Sequence, residues 1–254
     1  MQIIKNKSYF TVSDKDYKFW QRYMHTDWEQ DFFNYVNNTK FLKYNFIDVG
    51  AAVGAMSLYA ASKFKLVISL EPDITAFEIL KKNVNLNRDK FNNIKLLNKF
   101  LSTKNEKSRF ISGPIFGASH FVTKKAGNFL CYGITLNKIL KKFNNNKFFL
   151  KIDIEGYEFS LLKNLEFQNI VRKYKPPIYL AIHLGANFNL KYKISKINFF
   201  QRFMNLDKTF HEYKLLYKLL KNYKYIKINN KLVSKLFFLR LKYYRKDVEI
   251  FVYN

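Results

Sequence analysis

The sequence predicts an α/β fold in which a parallel sheet is flanked by helices on both faces. Short apolar segments typical of strands alternate along the chain with segments whose apolar residues recur at helical spacing. A turn of small residues at 50–54 joins one such strand to a helix, and acidic residues directly follow several strands. No Pro/Gly/Ser-rich linker or internal repeat interrupts the chain. We therefore predict a single domain, with an N-terminal helical extension over 1–44 and a core over 45–254.

Each predicted strand is a short apolar run, rich in β-branched and aromatic residues, that stops at a turn signal. The seven predicted strands are Phe46–Val49, Leu66–Leu70, Ile94–Asn98, Phe148–Ile152, Ile178–Ile182, Tyr225–Ile228 and Val248–Tyr253. The last one follows another strand without an intervening helix, which allows antiparallel pairing. Predicted helices cover Trp28–Thr39, Ala55–Lys63, Asp73–Leu86, the residues from Gly156 to Leu165, and Ile197–Leu220. The segment Phe110–Tyr132 has neither period, and we expect a loop over the site.

The composition excludes a disordered chain and a membrane-spanning one. Hydrophobic residues make up 48% and aromatic residues 19% of the 254 residues, too many for disorder. No run reaches the roughly 18–20 apolar residues that a transmembrane helix needs. The segment Met1–Asn6 lacks the apolar stretch of a signal peptide, and Cys131 is the only cysteine. We expect a cytoplasmic protein without stable membrane insertion.

The net charge of +26 allows two interpretations. A basic surface can attract nucleic acid, anionic lipid or a phosphorylated substrate. However, only seven of the 45 basic residues are Arg, the side chain best suited to bidentate phosphate contacts. The abundance of Lys, Asn, Phe, Ile and Tyr is also what an AT-rich coding sequence would produce. Both explanations, an anionic partner and coding bias, stay open at this stage.

The turn after the first core strand is the first candidate binding element. Asp48 lies next to the turn, near the end of that strand, and the turn contributes Gly50, Ala51, Ala52 and Gly54. Glycine permits unusual backbone angles and close approach of a ligand to the main chain. The turn is neither the dinucleotide fingerprint nor a P-loop, and an acid there suits a ligand with an ammonium or sulfonium group. The alternative is a turn that only packs a helix on a strand.

Glu71 ends the next strand and is followed by Pro72. A carboxylate at this place in an open α/β sheet can accept hydrogen bonds from the two hydroxyl groups of a ribose. The alternative is a solvated acid near a helix N-terminus, where negative charge is favourable in any protein. Because ligands bind beyond the carboxyl ends of parallel strands, both candidate elements point to one edge of the sheet.

Together these residues resemble the FkbM family of S-adenosylmethionine-dependent methyltransferases. The resemblance covers roughly residues 28–185, and its motifs are Trp28-Glu29, Phe46–Gly54, Leu70-Glu71-Pro72, Ile134-Thr135-Leu136-Asn137 and Leu150–Glu158. Ala52 stands where the family usually has Asn. The resemblance implies a seven-stranded Rossmann-like methyltransferase sheet with the last strand antiparallel. It also implies S-adenosylmethionine as cofactor and methyl transfer to an oxygen of a sugar, glycan or related metabolite.

A hydroxyl acceptor needs a general base or a metal ion to lower its pKa. His183 ends the fifth predicted strand and is our candidate base, although it could instead only hydrogen-bond a carbonyl. Asp153 and Glu155 could orient the acceptor, hold His183 or bind a divalent cation such as Mg²⁺. They could also merely cap the helix that begins near Gly156.

Three other classes of function are alternatives to the hypothesis of an O-methyltransferase. A nucleic-acid methyltransferase or RNA-binding protein would use the basic surface, but the chain lacks the Asn/Asp-Pro-Pro-Tyr/Phe motif of base methylation. A nicotinamide-dependent oxidoreductase fits the turn at 50–54 poorly, because its glycines have the wrong spacing. A scaffold that binds the cofactor without catalysis cannot be distinguished by sequence.

Overall fold

The computed structural model describes residues 1–111, 120–122, 129–144, 147–154, 157–182, 214–234 and 248–254. The strands are β1 (Gln2–Lys5), β2 (Ser8–Thr11), β3 (Asn45–Val49), β4 (Val67–Leu70), β5 (Ile94–Leu97), β6 (Phe100–Leu101), β7 (Lys107–Ile111), β8 (His120–Val122), β9 (Phe129–Ile134), β10 (Phe148–Ile152), β11 (Ile178–Ile182), β12 (Tyr225–Ile228), β13 (Lys231–Leu232) and β14 (Val248–Tyr253). The helices are α1 (Tyr17–His25), α2 (Gln30–Val36), α3 (Ala55–Ala61), α4 (Ile74–Asn85), α5 (Leu136–Lys142), α6 (Glu158–Lys163) and α7 (Leu165–Tyr174). Residues 214–220 are also helical.

The central sheet has the strand order β13-β12-β14-β11-β10-β3-β4-β5. Its β5, β4, β3, β10 and β11 pair in parallel, whereas β14 is antiparallel to both β11 and β12. The predicted fold class and the antiparallel last strand are therefore confirmed. Within the described residues this sheet has eight strands and not the predicted seven, because the short β13 pairs with β12 at its edge. With only two residues, β13 is too short to leave a periodic signal in the sequence.

Helices cover both faces of this sheet. One buried cluster packs α5, α6, α7 and the helical residues 214–220 against one face. The other cluster packs α1, α2, α3 and α4 against the opposite face. The strands β3, β4, β10 and β11 have no exposed residue, which explains why they appear in the sequence as mainly apolar runs without polar alternation. No helix of the described ranges is long and apolar enough to span a membrane.

The sequence predicts a helical N-terminal extension, but the extension also contains strands. It begins with the antiparallel hairpin β1–β2, and α1 and α2 follow. Strands of four residues with an Asn6-Lys7 turn are too short to distinguish from a loop by periodicity. The hairpin and α1 pack through buried aromatic side chains, among them Phe10, Trp20 and Tyr23.

Asn83 connects the extension to the predicted binding turn. Its side chain is fully buried on α4. The Oδ1 atom accepts a hydrogen bond of 2.8 Å from the Ser13 backbone N–H. The Nδ2 atom donates one of 2.9 Å to the Val53 carbonyl oxygen. One amide group therefore fixes the turn at 50–54 against the chain that precedes it.

A second, smaller sheet occupies the region predicted to be a loop. Its strand order is β6-β9-β7-β8, so the loop expected over Phe110–Tyr132 is wrong for the described residues of that segment. The inner side chains of this sheet, Phe110 and Cys131, pack against Phe100 in a small separate cluster. Burial alternates along 107–110 of β7 and along 130–133 of β9, so these strands are covered on one face only, unlike the central strands.

The helices are partly where the sequence placed them. Helices α2, α3 and α4 lie within or close to the predicted ranges, whereas α1, α5 and α7 were not predicted. The single helix expected to end at Leu165 is divided at Asn164 into α6 and α7. Of the predicted helix Ile197–Leu220, residues 214–220 are helical and 197–213 lie outside the described residues.

We predict that Asn83→Ala lowers the free energy of unfolding by about 2–4 kcal/mol, because a buried N–H and a buried carbonyl lose their partners. Asn85→Ala is the matched control, since Asn85 is exposed on the same helix and should change stability by less than about 0.5 kcal/mol. Urea denaturation followed by circular dichroism measures both. Equal effects of the two substitutions would contradict the proposed role of Asn83.

Candidate cofactor site

A pocket opens where β3, β4 and β10 end. The strand order reverses between β3 and β10, and this switch point is where open α/β sheets bind their ligands. The pocket has an empty volume of about 480 Å³, including the solvent at its mouth. Its walls are formed by Val49, Gly50, Leu70, Glu71, Pro72, Lys99, Phe100, Leu101, Phe110, Asp153, Ile154 and Tyr157. The edge predicted from the sequence therefore carries a pocket.

The turn that follows β3 depends on Gly50. Its φ of +81° lies in the left-handed region, and a Cβ atom at this position would lie 1.8 Å from the Asp153 carbonyl oxygen. No side chain fits between these two backbones, so the turn and the end of β10 are in direct contact. Gly54 also has a positive φ, +96°, and directly precedes α3.

Ala52 has a φ of +48°, which is unfavourable for a residue with a Cβ atom. This conformation accompanies a specific contact. The Ala52 backbone N–H donates a hydrogen bond of 2.8 Å to Oε2 of Glu71. The turn after β3 and the end of β4 are thus held together by the carboxylate predicted to bind ribose.

Glu71 is 4% exposed and lines the pocket. Its Oε1 atom accepts a second backbone hydrogen bond, of 2.9 Å, from the Asp73 N–H. Burial raises the pKa of Glu71 to about 7, although the two backbone donors oppose this shift. A carboxylate has about four acceptor positions, so two are left for hydroxyl groups of a ligand. Glu71 therefore fits the predicted ribose-binding role.

Under the pocket lies a buried ion pair that joins β3 to β10. Asp48 and Lys151 are register partners on these strands. The Lys151 Nζ atom lies 3.2 Å from Asp48 Oδ1 and 3.5 Å from Asp153 Oδ2. It also donates a hydrogen bond of 2.8 Å to the Gly50 carbonyl oxygen. The Ser57 hydroxyl donates to Asp48 Oδ2 at 2.6 Å.

The pKa shifts in this group reflect burial and charge pairing. Burial alone would lower the pKa of Lys151, but the carboxylates of Asp48, Asp153 and Glu29 outweigh it and the pKa is raised. Ion pairing thus favours the charged form of Lys151 inside the sheet. Burial raises the pKa of Asp48, opposed by Lys151 and by the hydrogen bond from Ser57.

The structure brings most of the predicted residues to this edge, but at different depths. Gly50, Glu71, Pro72 and Asp153 line the pocket. Asp48 does not, because its carboxylate is fully buried beneath the turn and is paired with Lys151. Asp48 thus supports the turn and is not placed to contact a ligand.

Ala51, Ala52 and Gly54 shape the turn without lining the pocket. Glu155 and His183 lie outside the described residues. Their assigned roles remain predictions.

The described residues contain no group of three His, Cys, Asp or Glu side chains arranged to hold a metal ion. Asp153, proposed from the sequence as one possible Mg²⁺ ligand, instead forms an ion pair with Lys151. The other proposed ligand, Glu155, lies outside the described part of the chain. The described residues of this site therefore do not support a divalent cation.

Several side chains that shape the site have no site role predicted from the sequence. Lys99, Phe100 and Tyr157 line the pocket, and Lys151 lies beneath it. One signal was available for Lys151, because a charged residue inside the otherwise apolar strand β10 must find a buried partner. Lys99 and Phe100 follow β5 with no distinctive pattern, so only the fold reveals their position.

The sequence profile of the family described as "Methyltransferase FkbM domain" matches residues 48–226. No curated protein has a significantly similar sequence. The match covers the turn, Glu71 and the segment around Asp153.

Three solved structures are among those to which this chain is similar. A methyltransferase FkbM from Methylobacillus flagellatus KT is 16% identical with a TM-score of 0.47, covering 84% of this chain and 44% of its own length. This chain thus spans less than half of that protein. A precorrin-6y C5,15-methyltransferase from Geobacter metallireducens GS-15 is 10% identical with a TM-score of 0.42, over 96% of this chain and 92% of that one. The METTL16 MTase domain is 12% identical with a TM-score of 0.44, over 90% and 66%.

We predict that Lys151→Met lowers the free energy of unfolding by about 3–5 kcal/mol, because it leaves the buried Asp48 carboxylate without its cation. The double substitution Asp48→Asn with Lys151→Met should be less destabilising than the sum of the two single substitutions. Urea denaturation of the four proteins closes the cycle. Lys147→Met, at an exposed position just before β10, is the matched control. Additive effects would show that the two side chains do not interact.

A second prediction concerns the strained turn. Ala52→Asn should raise the free energy of unfolding by about 0.5–1 kcal/mol, because Asn tolerates the left-handed region better than Ala. Ala52→Val should lower it, since a β-branched residue is disfavoured there. Thermal unfolding distinguishes these opposite signs. Identical effects of Asn and Val would mean that backbone strain does not govern this position.

Proposed function

Because the chain belongs to the FkbM methyltransferase family, we propose that it transfers a methyl group from S-adenosylmethionine to a hydroxyl group of a sugar, glycan or related metabolite. The observation that carries the cofactor assignment is the buried Glu71 carboxylate in the pocket wall at the end of β4. It lies beside the glycine turn at the switch point of the sheet, where an adenosyl ligand would be held.

The residues of the pocket suit an adenosyl ligand. Glu71 would accept hydrogen bonds from the ribose hydroxyl groups with its two remaining acceptor positions. Phe100 and Leu101 supply apolar walls beyond it. Gly50 lets the backbone reach the ligand without a side chain between them. Asp153, on the opposite side of the turn, adds negative charge that favours a cationic sulfur centre.

When bound, S-adenosylmethionine supplies a methyl group activated by a positively charged sulfur atom. The protein contributes mainly alignment and exclusion of water, since positioning alone can be worth about 7–11 kcal/mol. Lys151 holds the Gly50 carbonyl and the Asp153 carboxylate at a fixed separation. The rigid floor of the pocket then orients the reacting groups without reorganisation.

The proposal that the acceptor is a hydroxyl group rests on the resemblance of the motif around Asp153 to the FkbM family. A second candidate, methylation or binding of nucleic acid, is favoured by the net charge of +26. The two differ in measurable ways. RNA affinity would fall steeply with salt concentration, and the methylated product would be a nucleotide instead of a methyl ether.

Calorimetric titration with S-adenosylmethionine, S-adenosylhomocysteine and NAD tests the cofactor. Binding of the first two and not of NAD supports the proposal. Methyl transfer from labelled S-adenosylmethionine to a panel of saccharides and to total RNA then tests the acceptor. Label in RNA and in no saccharide would replace the proposed acceptor by the second candidate. Binding of NAD alone would refute the methyltransferase assignment.

We predict that Glu71→Gln weakens S-adenosylhomocysteine binding by at least tenfold, because the amide loses acceptor positions for the ribose. In the unchanged protein the affinity should rise with pH through about 7, the pKa of Glu71. Hydroxyl donors favour the ionised carboxylate, which becomes populated only above that pKa. Glu78→Gln, an exposed acid on α4, is the control. A flat pH profile would contradict the ribose contact.

A further inference from the structure

Glu29 is an acidic side chain that the cofactor site does not use. It directly precedes α2, where an acid would ordinarily cap the helix by accepting from its backbone N–H groups. The Glu29 side chain makes no capping hydrogen bond, and its backbone adopts the left-handed region, with φ 48° and ψ 34°. Left-handed backbone at a residue with a side chain is unfavourable and is concentrated at functional sites.

The carboxylate of Glu29 turns instead toward the central sheet. Its Oε2 atom accepts a hydrogen bond of 3.2 Å from the hydroxyl group of Tyr179. Tyr179 is fully buried on β11 and is the register partner of Lys151. Asp48, Lys151 and Tyr179 therefore lie in one row across three neighbouring strands. Glu29 covers this row from the N-terminal extension.

The next row toward the carboxyl ends of the strands carries more acids. Asp153 lies two residues beyond Lys151. Its backbone N–H donates a hydrogen bond to the Val49 carbonyl oxygen, so the pairing of β10 with β3 extends one residue past Ile152. Ala181 and Glu249 are paired in this row on β11 and β14. Ala181 has a small side chain, so no large side chain stands between Asp153 and Glu249 in this row. Asp153 belongs to the cofactor pocket, whereas Glu249 lies on the other side of Ala181.

The charged and titratable groups that face Glu29 come from three strands. They are Lys151 and Asp153 of β10, Tyr179 of β11 and Glu249 of β14. Burial is the main cause that raises the pKa of Glu29, to about 8, and Asp153 adds to it while Lys151 opposes it. Glu29 as a whole residue is partly exposed. Its carboxylate is thus able to bind a proton near neutral pH.

We propose that the Glu29 carboxylate, held by Tyr179 beside Asp153, accepts the proton of the acceptor hydroxyl group during methyl transfer. This rests on the proposed function. Glu29 takes the proton as the acceptor oxygen forms its bond to the methyl carbon. The carbon–sulfur bond breaks, and its electron pair goes to sulfur. The products are a methyl ether, a neutral thioether and protonated Glu29, which returns its proton to water.

The proposal makes a prediction that needs no acceptor. A base placed on an acceptor oxygen lies within about 7 Å of the sulfonium, given contact distances of about 3 Å on each side of that oxygen. An ionised carboxylate there attracts the cationic S-adenosylmethionine but not the neutral sulfur of S-adenosylhomocysteine. The preference for S-adenosylmethionine should therefore increase as pH rises through about 8.

The experiment is calorimetric titration of both ligands between pH 6 and 9.5 with the full chain and with Glu29→Gln. The ratio of the two dissociation constants should change at least about tenfold more in the unchanged protein than in the variant. Contributions from Glu71 cancel in the ratio because both ligands carry the ribose. Titration of the ligands' own amino groups cancels between the two proteins. Asp31→Asn, which removes another partly buried acid of α2, should behave like the unchanged protein.

A second variant covers the case in which Glu29→Gln does not fold. The hydrogen bond from Tyr179 lowers the pKa of Glu29, so Tyr179→Phe should move the transition of the ratio to higher pH. With a saccharide that the unchanged protein methylates, Glu29→Gln should lower turnover by about 10²–10⁴-fold. Its affinity for S-adenosylhomocysteine should stay within about twofold of the unchanged value.

Three results would decide against the proposal. An identical pH dependence in the unchanged protein and Glu29→Gln would show that Glu29 does not sense the sulfonium. Loss of the pH dependence in His183→Ala, with its retention in Glu29→Gln, would assign the base to His183. Unchanged turnover of Glu29→Gln would leave Glu29 a purely structural link. If the unchanged protein bound neither ligand, the proposed function itself would fail, which is a separate and recognisable outcome.

Discussion

The rest of the site depends on the contacts of the buried Lys151 ammonium group. It is nearly fully buried, and an isolated charge there would cost several kcal/mol. Three oxygen atoms compensate this cost, one each from Asp48, Gly50 and Asp153. Two belong to the end of β3 and its turn, and one belongs to the end of β10. The position of the pocket wall is therefore set by the need to solvate one cation inside the sheet.

The sequence was sufficient to predict the central strands and the turn because both leave strong local patterns. Strands buried on both faces are mainly apolar, and Gly50 is required where a Cβ atom would meet the Asp153 backbone. The hairpin β1–β2 and the small sheet left weak patterns, since the hairpin strands are short and the small sheet packs in a small cluster. Helix α7 has ten residues and packs in the main core, so its absence from the prediction has no such reason. The depth of Asp48 and the approach of Glu29 to Tyr179 are tertiary facts. A sequence pattern places a residue on an element, but it does not fix which neighbour lies above it.

The distribution of charge at the site differs from that of the whole chain. The net charge is +26, yet acids predominate around the pocket floor and beside it. Lys151 is the cation among these acids, and its charge is paired with Asp48 and Asp153. Lys99 is the basic residue among the described pocket walls. The excess positive charge thus does not form the floor of the pocket, and an anionic partner would have to contact other surfaces.

The cofactor pocket and the row of acids beside it, with Asp153 and Glu249, are held together by shared contacts and charges. Gly50 contacts the Asp153 backbone, and Lys151 connects both to Asp48 and, through its charge, to Glu29. Groups that share partners in this way respond non-additively to substitution. Substitutions at Asp48 and Lys151 should therefore not have additive effects on stability. The buried Lys151 cation links the turn, the end of β10 and the neighbouring acids in one network of contacts and charges.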